Sequence, residues 1–573
     1  MAWLESLLGD DGCRCYVAAP DPEDQPPQAR ELRKGVSFRV AGFATAGTAL
    51  LASLVTAAVL KAPQAAPAQP AELAAPLLPE PVLLPISDES ALRAQKTEYM
   101  FGELTAQEAR AVARYTAEKL GCKTGYSGDN GEPLKGCFLS GSEAVTLMLP
   151  PKEAAISYLD GHGPAPPRMA QAIVVHGERK KDEGVGIYSV GPLDGGGGLA
   201  GEAKVELIKS HHLNRRPLDM SDSSVEVPIA KVIKKMKHIL LESFGGVFPW
   251  LPEDYKPKED GTVFLLMAVN QASSLKQRIT RAVFNWYKEL DQFQVNWMHT
   301  IPFLLAVVQD GDVDDWYVIN ITYCGQTYND VEELLKADEH GKLYKCKGGL
   351  KSASTWDKPG PDNGTMALGE MPTPTLSRPK TWQTIGNGAI RWGDWEIFAT
   401  VRPGSGLALH DVRWRGERIA YELAVSEAQA YYSSTDSGHQ FHYSDKAFSL
   451  SQISGELVEG LDCPHGATFF TNSIWILSDT SDPARFKLTS DPTDAVPQKL
   501  MCVYEGDSME GSMWRHAQLS NRKVTGRAMR NLVVRTVSTV GNYDYISEVH
   551  FGEDGAMHVR SEFAGYPEVE HTP

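Results

Sequence analysis

The residues with the most chemical potential lie in the last third of the chain. Leu532 to Tyr545 reads Leu-Val-Val-Arg-Thr-Val-Ser-Thr-Val-Gly-Asn-Tyr-Asp-Tyr. Its β-branched run predicts one strand, with Val537, Thr539, Tyr543 and Tyr545 on a common face. Taken alone, tyrosines on one strand face pack a core. Upstream, Asp445 closes His442-Tyr-Ser-Asp and Asp436 opens Asp-Ser-Gly. An aspartate in such a turn either shapes the turn or, beside a bound substrate, takes a proton. Cysteines offer a third kind of chemistry. Cys13 and Cys15 stand near the N-terminus, and Cys122, Cys137, Cys324, Cys346, Cys463 and Cys502 follow. Those six suit disulfides in an oxidising compartment, and closeness in sequence suggests Cys122–Cys137 and Cys324–Cys346.

The elements that must position these groups fall into segments. A polar tail over 1–40 precedes an uncharged run from Ala41 to Leu60, long enough as a helix to span a bilayer. Arg30, Arg33, Lys34 and Arg39 on its N-terminal side favour a cytoplasmic N-terminus. The expectation is a single-pass anchor at 41–60 with an extracellular or lumenal body, held off by an Ala/Pro-rich stalk over 61–95. The sequons Asn320-Ile-Thr and Asn363-Gly-Thr lie in that body. Thr105-Ala-Gln-Glu108 reads as a capping box opening a helix through Leu120. Ala144–Leu149 and Ala170–His176 read as strands, and Gly195–Gly198 as a loop. Further on, Val263–Val269 and Trp316–Thr322 read as strands and Val331–Ala337 as a helix. A Pro/Gly-rich connection at Lys358–Gly364 precedes a β-rich remainder from about Lys380.

Hydrophobic content of 42% and charged content of 23% fit a globular protein with more than one domain. A net charge of −17 excludes nucleic acid as an expected partner, because phosphate binding needs concentrated Lys and Arg. The same charge permits attraction of cationic substrates.

Several segments in order resemble the copper amine oxidases. Thr539-Val-Gly-Asn-Tyr-Asp-Tyr545 is similar to that family's cofactor strand, whose first tyrosine, here Tyr543, is oxidised to topaquinone. Asn542 and Asp544 flank it in the motif. Glu427-Ala-Gln-Ala-Tyr-Tyr432 resembles the segment ending in a tyrosine that hydrogen-bonds the quinone. The alignment places that role on Tyr432, with Tyr431 one position away. His442-Tyr-Ser-Asp445 resembles the segment carrying the catalytic base. The spacing from Asp445 to Asp462-Cys-Pro464 matches the family and selects Asp445 over Asp436, although Lys446 and Ala447 replace the small residues expected after it. Asp462-Cys-Pro-His and Met501-Cys-Val-Tyr-Glu505 resemble a family disulfide pair, which implies Cys463–Cys502. Ala172–Gly177 and Tyr188–Pro192 look like the second small N-terminal domain of the family. Trp395-Glu-Ile-Phe and His410–Gly416 look like the start of its sandwich.

The resemblance implies an α+β protein: α/β domains at 96–200 and 225–350, then an antiparallel β-sandwich catalytic domain at 375–573 that lacks its C-terminal part. It implies oxidative deamination of small primary amines by dioxygen, giving aldehyde, ammonia and hydrogen peroxide, with copper and topaquinone as cofactors and a homodimer as the assembly. The family binds copper through a His-x-His pair and a later histidine, and Cu(II) favours such nitrogen ligands. None of the 15 histidines here forms a His-x-His pair. His439 and His442, and His211 and His212, come nearest but precede Tyr543, and only His550, His558 and His571 follow it. No metal ligand is therefore assigned, and these 573 residues alone are expected to lack copper-dependent activity. The copy is read as an incomplete form of a longer oxidase. The alternative is a shortened, non-catalytic membrane ectodomain used in binding or adhesion.

Overall fold

The computed structural model describes residues 87–124, 137–139, 144–176, 184–215, 225–244, 262–270, 277–288, 300–309, 315–346, 380–432, 441–444, 450, 456–474, 496–520, 522–540 and 543–565. The run expected to anchor the chain, 41–60, lies outside them. Among the described residues no helix is long and apolar enough to cross a membrane.

Helix α1 (Asp88–Phe101) is followed by α2 (Ala106–Leu120). The capping box forms as expected. The Thr105 hydroxyl accepts from the Glu108 amide at 3.1 Å, and the Glu108 carboxylate accepts from the Thr105 amide at 2.8 Å. Gly121 ends the helix at φ 68°, a left-handed conformation open to glycine. Helix α2 covers a six-stranded sheet of β1 (Lys123–Thr124), β2 (Cys137–Leu139), β3 (Val145–Met148), β4 (Met169–His176), β5 (Val185–Leu193) and β6 (Leu199–His211). Strands β2 and β3 pair in succession along one edge of β4, and α3 (Lys152–Leu159) joins β3 to β4. Alternation sends Ala172 and Val174 under α2, whereas Phe138 and Val175 join a core with α4 (Glu226–Phe244). The glycine loop is bound by its own Asp194, whose carboxylate accepts from the Gly196 and Gly198 amides.

The second sheet is an antiparallel meander of β7 (Thr262–Asn270), β8 (Ile279–Lys288), β9 (Thr300–Val308), β10 (Tyr317–Tyr323) and β11 (Gln326–Tyr328), with α5 (Val331–Glu339) after it. The strands and helix expected here are all present. The Cys122–Cys137 and Cys324–Cys346 disulfides form as sequence proximity suggested.

From residue 383 the described chain is all β. The third sheet runs in chain order through β12 (Gln383–Ile385), β13 (Ala389–Trp392), β14 (Trp395–Arg402), β15 (Gly406–Trp414) and β16 (Glu417–Ala424). A separate hairpin pairs β17 (Gln429–Tyr432) with β18 (Phe441–Ser444). The last sheet also runs in order: β19 (Thr468–Ile474), β20 (Val496–Gln518), β21 (Lys523–Val540), β22 (Tyr543–Gly552) and β23 (Met557–Gly565).

Residues of the third and last sheets share one core. Trp395 is fully buried, meets Phe551 at 5.0 Å between ring centroids and Trp414 at 4.8 Å, and donates its indole N–H to the Gly552 carbonyl at 2.8 Å. Trp395→Phe is therefore expected to lose one buried hydrogen bond and part of a ring, about 1–3 kcal/mol. Urea unfolding measures this, and a loss near zero would show that Trp395 does not join the sheets.

Candidate functional site

Tyr543 does not sit on one strand running from Leu532 to Tyr545, as the sequence reading expects. Strand β21 ends at Val540 and β22 begins at Tyr543, with Val540 and Tyr543 paired antiparallel. The reason is turn chemistry. Gly541-Asn542 is a two-residue connection of a type that permits tight hairpins. Both residues, including Asn542, which the resemblance places beside the cofactor tyrosine, lie outside the described set. The turn changes which residues share a face. Register partners project to the same side of a sheet, so Tyr543 and Tyr545 lie with Val540 and Ser538, not with Val537 and Thr539.

On that face β22 runs from Tyr543 and Tyr545, both half-buried, to Val549 and Phe551, which are buried in the core shared with the third sheet. The Tyr543 and Tyr545 rings meet edge-on at 6.2 Å, and Tyr545 meets Phe563 of β23 at 5.4 Å. Asp544 points to the opposite face and accepts from the Thr539 hydroxyl at 2.6 Å. That bond ties the second pair from the turn, next to the Val540–Tyr543 pair, and holds the backbone on which Tyr543 rides.

The same opposite face carries a charged cluster. The Glu548 side chain is 1% exposed, accepts from Arg535 and contacts the His550 ring nitrogen at 2.7 Å. Burial alone would push the Glu548 carboxyl up, but the His550 hydrogen bond and the Arg535 charge hold it below its ordinary value. Arg535 also donates to the Asp462 carbonyl at 2.5 Å, beside the Cys463–Cys502 disulfide that the resemblance implied and the structure contains. His550 is thus committed to a buried carboxylate, and its register partner His558 lies on the face away from Tyr543. Sequence reading missed this cluster because its members are separated by strand pairing and no local motif joins them.

The other proposed site residues are placed only in part. Tyr431 and Tyr432 lie on β17, opposite His442 and Phe441. Ser444 ends β18 opposite Gln429. Asp445 and Asp436 lie outside the described residues. Among the described residues one group of three His, Cys, Asp or Glu side chains is close enough to hold a metal, namely Cys122, Cys137 and His176. That set does not fit the histidine-only copper centre implied by the resemblance, and it is on a different sheet from Tyr543.

Comparison with known proteins follows the same lines. Residues 384–573 match the copper amine oxidase enzyme domain, and residues 142–195 match the copper amine oxidase N2 domain. The chain is 28% identical over 488 residues to amine oxidase [copper-containing] 2 of Homo sapiens, covering 82% of this chain and 57% of that protein. It is 26% identical over 487 residues to the diamine oxidase [copper-containing] of Homo sapiens, covering 82% and 60%. Among solved structures, Pichia pastoris lysyl oxidase matches with a TM-score of 0.66 at 22% identity, over 82% of this chain and 60% of that one. Aspergillus nidulans amine oxidase matches with a TM-score of 0.62 at 20% identity, over 82% and 59%. The chain thus spans under two thirds of the length of these relatives. Both domain models matched in order, the relatives named above and the mostly antiparallel fold shared with amine oxidase structures together support a copper amine oxidase.

Proposed function

We propose that the chain supplies the organic part of a primary-amine oxidase active site, with Tyr543 as the precursor of topaquinone. The observation that carries this reading is the position of Tyr543. It opens β22 at the head of a tight hairpin, inside the matched enzyme domain, on the face that continues into the shared core. Topaquinone formed there would supply a carbonyl that reacts with a primary amine and takes up its electrons. The chain's own groups do the rest. The Asp445 carboxylate removes the proton from the carbon bearing the nitrogen, and the Tyr432 hydroxyl orients the cofactor by a hydrogen bond. The Asp544–Thr539 pair holds the hairpin that presents it, and Asn542 adjoins it in the cofactor motif. The net reaction takes an amine, dioxygen and water to an aldehyde, ammonia and hydrogen peroxide. Copper ligands of the family pattern are not found in these residues, and no step is assigned to the metal. The same reading places the body outside the membrane, anchored through 41–60, as a homodimer.

The test is chemical. Full-length protein supplied with copper and oxygen is treated with phenylhydrazine, digested and mapped by mass spectrometry. The expected result is an adduct on the peptide containing Tyr543. Amine turnover with Tyr543 recovered as unmodified tyrosine would overturn the proposal. Absence of both adduct and turnover would favour a binding ectodomain.

A further inference from the structure

The sheet under α2 contains a cluster that lies on a different sheet from Tyr543. The left-handed turn at Gly121 closes α2, and the Cys122 amide donates to the Ala117 carbonyl at 2.8 Å. This delivers Cys122 to the sheet, where it meets Cys137 on β2 with 4.6 Å between Cα atoms. Cys137 is in turn the register partner of His176 at the end of β4. A ring nitrogen of His176 and both sulfurs lie within 4.8 Å of one another.

His176 is held, not loosely packed. It is 3% exposed, and its Nε2 lies 3.0 Å from the Tyr188 hydroxyl of β5. Tyr188 reaches that position by lying across Gly186. A Cβ added there would stand 2.4 Å from the tyrosine ring, so the glycine makes room for the contact. Cys122 and Cys137 are partly exposed at the end of the sheet, while the imidazole is buried behind them.

We propose that Cys122, Cys137 and His176 form a redox-gated metal site that binds zinc(II) when their disulfide is reduced. Two thiolates and one imidazole are the ligand set of a borderline-soft cation, with a fourth position left for water. Ligating histidines are commonly oriented by a hydrogen bond at the other ring nitrogen, which is the kind of support Tyr188 supplies. The step needs a dithiol reductant. Its two thiols become a disulfide, and their two electrons and two protons convert Cys122–Cys137 to two thiols. Zinc(II) then displaces both thiol protons, and the site closes around it. A small-molecule disulfide reverses the step: it takes the two thiolate electrons and two protons from water and leaves as two thiols, while Cys122–Cys137 re-forms and zinc(II) is released, so occupancy reports the thiol–disulfide balance of the surroundings.

The experiment uses the full chain with Cys13 and Cys15 replaced by serine, reduced under native conditions by a dithiol that is then removed. Anaerobic titration with cobalt(II), a spectroscopic stand-in, should give one equivalent per chain with a thiolate-to-metal absorption. Zinc(II) should displace it, with about two protons released for each metal bound. Unreduced protein and the Cys122→Ser/Cys137→Ser variant should show no band. His176→Gln and Tyr188→Phe should weaken binding about 10–100-fold. Failure of reduced protein to give the band overturns the site. So does a band that persists in the double serine variant, which would belong to other cysteines. Full affinity in both His176→Gln and Tyr188→Phe would remove the imidazole from the ligand set.

Discussion

Tyr543→Phe in the full-length protein is expected to abolish hydrogen peroxide release on addition of a primary amine, while leaving the fold nearly intact. The substitution removes the phenol oxygen that conversion to a quinone requires, and no neighbouring tyrosine can take its place on the backbone. Tyr545 shares the face but lies two residues further from the turn, packed edge-on against Phe563. Tyr543 is only half-buried, and its ring contact with Tyr545 survives as a phenyl. The expected stability change is therefore about 1 kcal/mol or less, the scale of one hydrogen bond. Asp445→Asn should behave differently. It retains shape and removes the proton acceptor, so turnover should fall by about 10²–10⁴-fold while phenylhydrazine still labels Tyr543. Peroxide assays on both variants, beside thermal melts, separate the roles. Normal turnover by Tyr543→Phe would end the assignment of the cofactor. Normal turnover by Asp445→Asn would move the base elsewhere, with Asp436 the next candidate.

Local signals explain what could be read before the structure. The α2 capping box, the strands at 145–148 and 169–176, and the α5 helix depend on neighbours in sequence, and each appeared within a residue or two of its expected bounds. Two disulfides closed short loops, and proximity was enough to pair them. The break before Tyr543 is not visible in the strand pattern. The β-branched pattern continues smoothly into Thr539 and Val540, and the period of two hides a turn made by only two residues. Faces counted straight through Gly541-Asn542 put Tyr543 with Val537 and Thr539, whereas the register puts it with Val540 and Ser538. Contacts across long separations left no trace in the sequence. Trp395 meeting Phe551 and Arg535 meeting Glu548 follow from sheet packing and register, which no single-strand pattern encodes.

One such contact also carries the second large effect, because it joins the two regions matched by the family. Asp411 on β15 adopts φ 47° and is 2% exposed, beside a register shift between β15 and β16. Aspartate tolerates the left-handed region better than most residues with a Cβ. Its carboxylate accepts from Arg413 Nε at 3.0 Å and from Arg418 Nε at 2.6 Å. Both guanidinium groups then reach Asp160, at the end of α3, with Arg413 Nη2 at 2.8 Å and Arg418 Nη2 at 2.7 Å. Asp411 is the innermost member and has no access to water to replace its partners. Asp411→Ala leaves two guanidinium groups turned toward an empty acceptor and places alanine at a positive φ, so a loss of about 3–5 kcal/mol is expected. Asp411→Asn keeps the backbone preference and should recover part of it. Acid should act on the same network through Asp160, whose carboxyl is held well below its ordinary value, first by the Arg418 hydrogen bond, against an opposing effect of burial, and then by Arg413. A depressed value means that its contribution is complete above the unfolded-state pKa of about 4 and is lost as pH falls toward the folded-state value. Urea unfolding of Asp411→Ala and Asp160→Asn at neutral pH and in mild acid measures both effects. A loss below about 1 kcal/mol for Asp411→Ala would mean that the four charges only decorate the contact. A loss of the expected size would make them the fastening between α3 and the sheet from which the chain passes to β17 and Tyr432.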